Sequence, residues 1–141
     1  MKNGLPFGIL LVDDDSDDRE IIDEAFKEIG YEPQVKKFIN GKALLNYLES
    51  IEPTVYPSLI VLDNTLPELD ANDLLVILKE HPAYKDIPVV IYTTMLTPYK
   101  KEQLTSKGAY ACMQKGSTMP EVIRLAQELK DLAESKAETN K

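Results

Sequence analysis

The size, composition and charge of the chain already exclude several classes of protein. Its 141 residues, of which 43% are hydrophobic and 28% charged, suffice for one globular domain with a buried core but not for a second domain. The formal net charge of −8 disfavours a nucleic-acid partner, because phosphate groups are neutralised by clustered lysine and arginine residues.

Five short apolar or β-branched segments alternate with amphipathic segments along the chain. The first, third and fourth are almost continuously apolar, which is typical of strands buried on both faces of a parallel sheet. The predicted strands are 7–12, 34–38, 58–62, 88–92 and 110–114.

Apolar residues at helical spacing follow the strands and predict helices that each turn one face to the sheet. The last helix starts at a capping box formed by Thr118 and Glu121, and the polar tail ESKAETNK at its end is expected to fray. The helix predicted after the fourth strand differs from the others, because it has few apolar residues to bury. The main stripes are Ile21, Ile22, Ala25, Phe26 and Ile29; Leu44, Leu45 and Leu48; Leu74, Leu75, Ile77 and Leu78; and Val122, Leu125, Ala126, Leu129 and Leu132.

This order of elements predicts an α/β fold of the (βα)₅ type. Its five-stranded parallel sheet should be doubly wound in the order 2-1-3-4-5, with right-handed crossovers and helices on both faces. We expect residues 1–141 to form one domain, with a core over about 6–134 and a polar tail at 135–141. Ligands of such sheets bind at the carboxyl ends of the strands, so the function should be sought there.

Polar residues of compatible chemistry follow the strands. Asp13 and Asp14 follow the first strand, Asp63 the third, Thr93 the fourth and Lys115 the fifth. Because the first, third and fourth strands are neighbours in such a sheet, these groups should converge on one pocket. Three carboxylates, a hydroxyl and an ammonium suit a hard cation such as Mg²⁺ together with a phosphoryl group. A carboxylate beside that cation can act as a nucleophile toward phosphorus.

Each of these residues also has a plainer structural interpretation. Asp63 could be a turn residue ahead of Pro67, Thr93 an ordinary β-branched residue at a strand end, and Lys115 a surface lysine. What favours the functional interpretation is that all four strand ends supply compatible groups together.

The stretch ILLVDDDSDD places five aspartates where the first strand ends. Like charges at this density oppose folding unless a cation or a structural role compensates. We expect Asp17, with Glu20, and Asp18 to cap the following helix or to interact with its dipole. Asp13 and Asp14 are expected to face a divalent cation together with Asp63.

Four segments resemble the response-regulator receiver domains of two-component signalling, and the resemblance covers essentially the whole chain. The connection KEHPAYKDIPVV makes the chain most similar to stand-alone receivers of the chemotaxis and phytochrome-partner kind, which have a flavodoxin-like fold. The segments are 9–16 (ILLVDDDS), 60–75 (IVLDNTLPELDANDLL), 88–94 (PVVIYTT) and 107–116 (KGAYACMQKG).

The resemblance implies a function and a role for each strand-end residue. Asp63 would accept a phosphoryl group from a phosphohistidine on a sensor histidine kinase. Thr93 would hydrogen-bond the aspartyl phosphate and Lys115 would pair with it. The Mg²⁺ site would comprise Asp14 as a direct ligand, Asp13 through water, Asp63 and the backbone carbonyl of Thr65.

The same resemblance implies the partners of the chain. They would be a sensor histidine kinase or phosphotransfer protein and a downstream protein target, and a homodimer is a possible assembly. No independent enzymatic turnover is expected.

The chain should act in the cytoplasm and bind no membrane, since it has no signal-peptide pattern and no apolar run of about eighteen residues. Its single cysteine, Cys112, agrees with a reducing compartment.

Three residues depart from the pattern of the family. Cys112 stands where the family usually has Tyr or Phe, so a switch based on an aromatic ring is not expected. Gly116 follows Lys115 where the family commonly has a proline after a cis bond. Because a cis bond before a non-proline residue costs about 3 kcal/mol, a trans bond is expected here. Ala71 replaces a usual glycine, which should alter that turn.

Other functions remain open on the sequence. A receiver-like binding module would retain the site without being phosphorylated, and only a phosphorylation assay distinguishes it. A phosphatase of the haloacid-dehalogenase type would use Asp13 and Asp15 but would leave the groups at the other strand ends unused. A flavodoxin-like carrier would place its cofactor phosphate against five aspartates, which would repel it.

Overall fold

The computed structural model describes residues 7–139, and its five strands form one parallel sheet in the order β2-β1-β3-β4-β5. This order confirms the predicted doubly wound fold, and each strand lies within its predicted range or ends one residue beyond it. The strands are β1 (Ile9–Val12), β2 (Val35–Phe38), β3 (Leu59–Asp63), β4 (Val89–Thr93) and β5 (Ala111–Gln114).

Five helices alternate with the strands, as predicted. The capping box of the last helix is present, because the backbone N–H of Thr118 donates to Glu121 Oε1 at 3.2 Å and the N–H of Glu121 donates to Thr118 Oγ1 at 3.4 Å. The helices are α1 (Ser16–Glu28), α2 (Gly41–Ser50), α3 (Ala71–Glu80), α4 (Pro98–Ser106) and α5 (Met119–Thr139). Within the described residues, none of these helices is long and apolar enough to cross a bilayer.

The sheet separates two apolar cores. One core lies between the sheet and the helices α1 and α5, and the other lies between the sheet and α2, α3 and α4. Residues of β1 alternate between them, with Ile9 and Leu11 in the first core and Leu10 and Val12 in the second. All residues of β1, β3 and β4 are buried, which explains their continuously apolar sequences. The polar groups that end these strands are therefore held on a rigid support.

The C-terminal tail continues the last helix. We expected fraying from Glu134, but α5 extends to Thr139, so that prediction is wrong for residues 134–139, and residues 140 and 141 lie outside the described part. The tail is rich in Ala, Glu and Lys, which are good helix formers. In addition, Lys136 Nζ lies 4.1 Å from the ring centroid of Tyr110, which ties the last turns to the start of β5.

The helix α4 buries little apolar surface. Its buried residue is Leu104, while Met95 before the helix and Tyr99 within it are each 69% exposed. This agrees with the expectation that few apolar groups hold this helix to the sheet. Elements with few buried contacts open at low free-energy cost, so α4 belongs to the less stable part of the fold.

Candidate functional site

Asp13 follows β1 and is completely buried. Its Oδ1 accepts a hydrogen bond from the backbone N–H of Asp15 at 3.0 Å. Its Oδ2 accepts one from the Tyr92 hydroxyl at 2.6 Å and another from Lys115 Nζ at 3.2 Å. These donors compensate the loss of water around a buried carboxylate, which is otherwise costly. The adjacent Asp14 is exposed.

Asp63 is the last residue of β3 and is 6% exposed. Its Oδ1 lies 3.2 Å from Lys115 Nζ and accepts a long hydrogen bond of 3.5 Å from the Thr65 N–H. Burial, and then the charge of Asp13, raises the pKa of Asp63 to about 6, although Lys115 acts in the opposite direction. At pH 7 the carboxylate is still mostly ionised and can therefore act as a nucleophile.

The carboxylates of Asp13, Asp14 and Asp63 form a cluster in which one oxygen from each lies within 4.8 Å of the others. Two of the three are buried, so their mutual repulsion is weakly screened. Carboxylate oxygens at this spacing are the ligands that a hard divalent cation prefers, and such an ion would remove the repulsion. The donor set therefore fits Mg²⁺ or a similar cation.

Lys115 follows β5 and reaches three carboxylates at once. Its Nζ lies 2.8 Å from Asp18 Oδ2 and 3.2 Å from both Asp13 Oδ2 and Asp63 Oδ1. Burial lowers the pKa of the Lys115 ammonium, but the hydrogen bond to Asp18 and the charges of Asp13 and Asp63 outweigh burial and raise the pKa above its ordinary value. The lysine is therefore a fixed positive charge inside the acidic cluster.

Thr93 completes the set of predicted residues. It is the last residue of β4 and is 4% exposed. An open cleft of about 460 Å³ joins it to the rest of the site. The lining of this cleft includes Asp14, Asp63, Thr65, Thr93 and Lys115. The structure thus brings the predicted side chains to one edge of the sheet, with the buried Asp13 behind them.

Residues 9–127 match the family described as the response regulator receiver domain. The chain belongs to this family. The match includes every strand and all of the predicted site residues. It confirms the resemblance seen in the sequence and assigns the chain to two-component signalling.

Individual relatives agree with this assignment. The receiver is 34% identical over 92 residues to the response regulator Rcp1 of Synechocystis sp., a match that covers 63% of this chain and 63% of Rcp1. The crystal structure of the Mn²⁺-bound form of Rcp1 has a TM-score of 0.71 at 25% identity and covers 89% of this chain and 93% of that one. A phosphorylated cyanobacterial phytochrome response regulator, RcpA, has a TM-score of 0.77 at 24% identity, with 90% and 93% covered, which shows the shared fold.

The aspartates of the stretch DDDSDD (13–18) have roles at the start of α1 that differ in part from our prediction. The N-cap of α1 is Asp15, whose side chain accepts hydrogen bonds from the N–H groups of Asp17 and Asp18 at 2.8 and 3.3 Å. The prediction that Asp17, with Glu20, caps this helix is therefore wrong, whereas the expected position of Asp17 and Asp18 at the positive end of the helix dipole agrees with their place in the first turn. Asp15 has the extended backbone of an N-cap residue, so its carboxylate can reach the N–H groups that follow. Asp18 lies in the first turn of α1 and contacts Lys115.

Two contacts of the site were missed at the level of sequence. The sequence pattern indicates only that Tyr92 lies in a strand, yet its hydroxyl contacts Asp13 inside the receiver. Burial, and then the charge of Asp13, raises the pKa of Tyr92. The available signal was a phenol in an otherwise aliphatic strand, because a buried tyrosine hydroxyl requires a partner. Arg19 was also missed, and it donates from Nη1 to the carbonyl of Asp13 at 2.7 Å.

The structure shows the surroundings of the three residues that depart from the family pattern, Cys112, Gly116 and Ala71. Cys112 is buried in the core on the α4 side of the sheet. Burial raises the pKa of the Cys112 thiol, and a hydrogen bond with Thr105 acts in the opposite direction. The bond between Lys115 and Gly116 is trans, as expected. Ala71 is the buried first residue of α3, behind the N-cap Asp70, so this turn is an ordinary helix start.

Gly116 is required by a close approach of the loop after β5 to helix α5. A Cβ atom at this position would lie 2.6 Å from the Cβ of Glu121 and 2.9 Å from the backbone nitrogen of Val122. Backbone atoms at the start of a helix cannot move aside without disturbing the helix. The glycine therefore fixes the path of the chain that directly follows Lys115.

Proposed function

We propose that residues 1–141 act as one receiver domain, with its core at about 6–134, that accepts a phosphoryl group on Asp63 in a two-component phosphorelay. The observation that carries the proposal is the position of the Asp63 carboxylate. It lies within 4.8 Å of Asp13 and Asp14 and 3.2 Å from the Lys115 ammonium. A nucleophile is thus combined with ligands for a cation and with a positive charge for phosphoryl oxygens.

The transfer would proceed from a phosphohistidine of a sensor histidine kinase or phosphotransfer protein. A carboxylate oxygen of Asp63 attacks the phosphorus, the new P–O bond forms as the P–N bond breaks, and the released imidazole takes up a proton from solvent. Lys115 then pairs with the phosphoryl oxygens, and the Thr93 hydroxyl donates a hydrogen bond to one of them. The product is an acyl phosphate, and no independent turnover of a substrate is expected.

Mg²⁺ is the cofactor that the site fits best. The residues that would hold it are Asp14 directly, Asp13 through water, Asp63 and the backbone carbonyl of Thr65. When bound, the ion would neutralise negative charge on the acidic cluster and on the incoming phosphoryl group. The Mn²⁺-bound structure of Rcp1 supports a divalent cation in a receiver of this kind.

The signal would leave the receiver through protein contacts. Phosphoryl oxygens on Asp63 would draw in Thr93 and Lys115, which bracket α4 and β5 in the chain. Since α4 buries little apolar surface, a small free-energy change can shift or order it. A downstream protein target, or a second copy of the receiver in a homodimer, would bind the face formed by α4, β5 and α5. Action in the cytoplasm, without membrane or nucleic-acid partners, completes the proposal.

Mass spectrometry after incubation with Mg²⁺ and a small phosphodonor tests the proposal. The wild-type receiver should gain the mass of one phosphoryl group, and Asp63→Asn should not. No gain in the wild type would favour the unphosphorylated binding module. A gain that persists in Asp63→Asn would favour another nucleophile, as in a phosphatase that uses Asp13. The complete burial of Asp13 argues against that enzyme, because its carboxylate is already surrounded by donors.

A further inference from the structure

Tyr92 approaches the site from the α1 and α5 side of the sheet, next to Asp63 on the neighbouring strand. Its side chain lies with Val90 in the core formed by α1 and α5, whereas its neighbour Ile91 lies in the opposite core. The tyrosine is 2% exposed, and its hydroxyl donates to Asp13 Oδ2 at 2.6 Å. Its ring centroid lies 4.6 Å from Lys115 Nζ. One buried side chain thus contacts both a predicted cation ligand and the predicted partner of the phosphoryl group.

We propose that Tyr92 is a positioning residue of the receiver site, whose hydroxyl orients the Asp13 carboxylate and whose ring supports the Lys115 ammonium. This inference rests on the proposed function, because it assigns Tyr92 a role in Mg²⁺ binding and in phosphoryl transfer to Asp63. Tyr92 itself touches neither the ion nor the phosphoryl group and acts through its two neighbours.

The hydroxyl matters because Asp13 Oδ2 is shared between two donors. Without the hydroxyl, Lys115 would be the remaining side-chain donor described for this oxygen, and the carboxylate would turn toward the ammonium. Groups that hydrogen-bond a metal ligand hold it in the orientation that binding requires, and their loss typically lowers metal affinity by about 10- to 100-fold. Because Asp13 is expected to contact Mg²⁺ through water, we place the effect at the lower end of this range.

The ring matters because it is a further contact of the Lys115 ammonium, in addition to the three carboxylates. Asp13, Asp18 and Asp63 attract the ammonium from α1 and from two strand ends. An ammonium over the face of a tyrosine ring is attracted by the ring quadrupole, more strongly where water is excluded. The ring therefore limits where the ammonium can move and keeps it within reach of Asp63.

A merely structural tyrosine would need a hydroxyl partner but would have no effect on the ion. Tyr31 provides the matched comparison, because it is 7% exposed in the same core and has Lys130 Nζ 5.9 Å from its ring centroid. It lies before β2, near Gly8 and Gln34, at the end of the sheet opposite to the strand exits. Tyr31→Phe therefore removes a buried phenol hydroxyl away from the site.

The experiment compares wild type, Tyr92→Phe, Tyr92→Leu and Tyr31→Phe. Calorimetry measures Mg²⁺ affinity, and the rate of phosphorylation by a small phosphodonor is measured over a range of Mg²⁺ concentrations. Tyr92→Phe should weaken Mg²⁺ binding about tenfold. Its phosphorylation should be slow at low Mg²⁺ and recover at saturating Mg²⁺, since the ring is retained. Tyr92→Leu should stay slow even at saturating Mg²⁺, and Tyr31→Phe should behave as the wild type.

Suppose that the wild type binds Mg²⁺ and is phosphorylated, and that Tyr92→Phe has the same Mg²⁺ affinity. This result overturns the inference about Tyr92 but leaves the proposed function intact. A wild type that neither binds Mg²⁺ nor gains a phosphoryl group overturns both. If a Tyr92 variant does not fold, NMR of the wild-type protein tests the inference instead. The ¹³C resonance of Tyr92 Cζ should shift when Mg²⁺ is added, whereas that of Tyr31 should not, and a Tyr92 resonance insensitive to Mg²⁺ also overturns the inference.

Discussion

The Asp63 carboxylate should destabilise the metal-free receiver at neutral pH, so Asp63→Asn should make that form more stable. Burial, and then the charge of Asp13, raises the pKa of Asp63 from 3.8 to about 6. A raised pKa means that folding favours the protonated carboxyl relative to the unfolded chain. The stability that Asp63 contributes is therefore fully present below pH 3.8 and is lost as the pH rises through about 6.

The magnitude follows from the two pKa values. Their separation is about 2 pH units, and about 1.4 kcal/mol per unit gives a loss of about 3 kcal/mol at pH 7. Asp63→Asn removes this loss, and the attraction of Lys115 is already included in the pKa of about 6. Solvent in the open cleft beside Asp63 screens its charge and reduces the effect. A net gain of about 1 to 2 kcal/mol at pH 7 is therefore expected, with little or no gain at about pH 4.

Urea unfolding in the presence of a chelator measures this gain directly. Wild type and Asp63→Asn are compared near neutral pH and again at about pH 4, where the unfolded Asp63 is itself close to half protonated. Asp131→Asn serves as the control, because it makes the same chemical change at an exposed position of α5. The reasoning is refuted if Asp63→Asn is no more stable than the wild type at neutral pH, or if its gain is the same at both pH values.

Three further predictions concern the cation, the helix cap and the output face. Mg²⁺ at ten times its Kd should stabilise the receiver by about 1.4 kcal/mol and raise its Tm by about 4 °C, and Asp14→Ala should abolish this rise in a thermal melt; equal responses would place the cation elsewhere. Asp15→Ala should cost about 1 kcal/mol in urea unfolding, and Asp17→Ala less, because Asp15 is the N-cap; the reverse order would contradict this assignment. A beryllofluoride mimic of the phosphoryl group should increase hydrogen-exchange protection over residues 94–107 and leave α1 unchanged; unaltered exchange over 94–107 would defeat the proposed output route.

The strands and the strand-end residues could be predicted because their signals are local. Each central strand is a short apolar run with a polar residue at its end, and alternate residues of a parallel strand face opposite cores. Once the fold class is known, strand order determines which ends are adjacent, so the proximity of Asp13 and Asp63 follows without coordinates. The capping box at Thr118 and Glu121 is equally local, because it depends on a three-residue spacing.

The sequence did not predict two kinds of feature. One is which of several similar side chains fills a given role, and the other is a contact between residues that are far apart in the sequence. In DDDSDD several carboxylates could cap α1, and the sequence does not determine at which residue the helix begins. Lys115 has a long, flexible side chain, and the closeness of Asp18 to it depends on how α1 packs against the sheet. The Tyr92 hydroxyl likewise meets Asp13 across 79 residues of chain. The tail after Ala133 is polar, which suggests fraying, but its helix-forming residues continue α5 to Thr139.

Gly116 couples two parts of the receiver sterically, namely the loop after β5 and the start of α5. The loop that carries Lys115 passes so close to the first turn of α5 that a side chain at 116 would meet Glu121 and the backbone of Val122. Glu121 is also the residue that closes the capping box on Thr118. A substitution of Gly116 by any residue that carries a Cβ would therefore require a displaced or rebuilt start of α5. Residues 116–121 are thus expected to change as a group during divergence, and transplanting a loop from a relative should include the first turn of the helix.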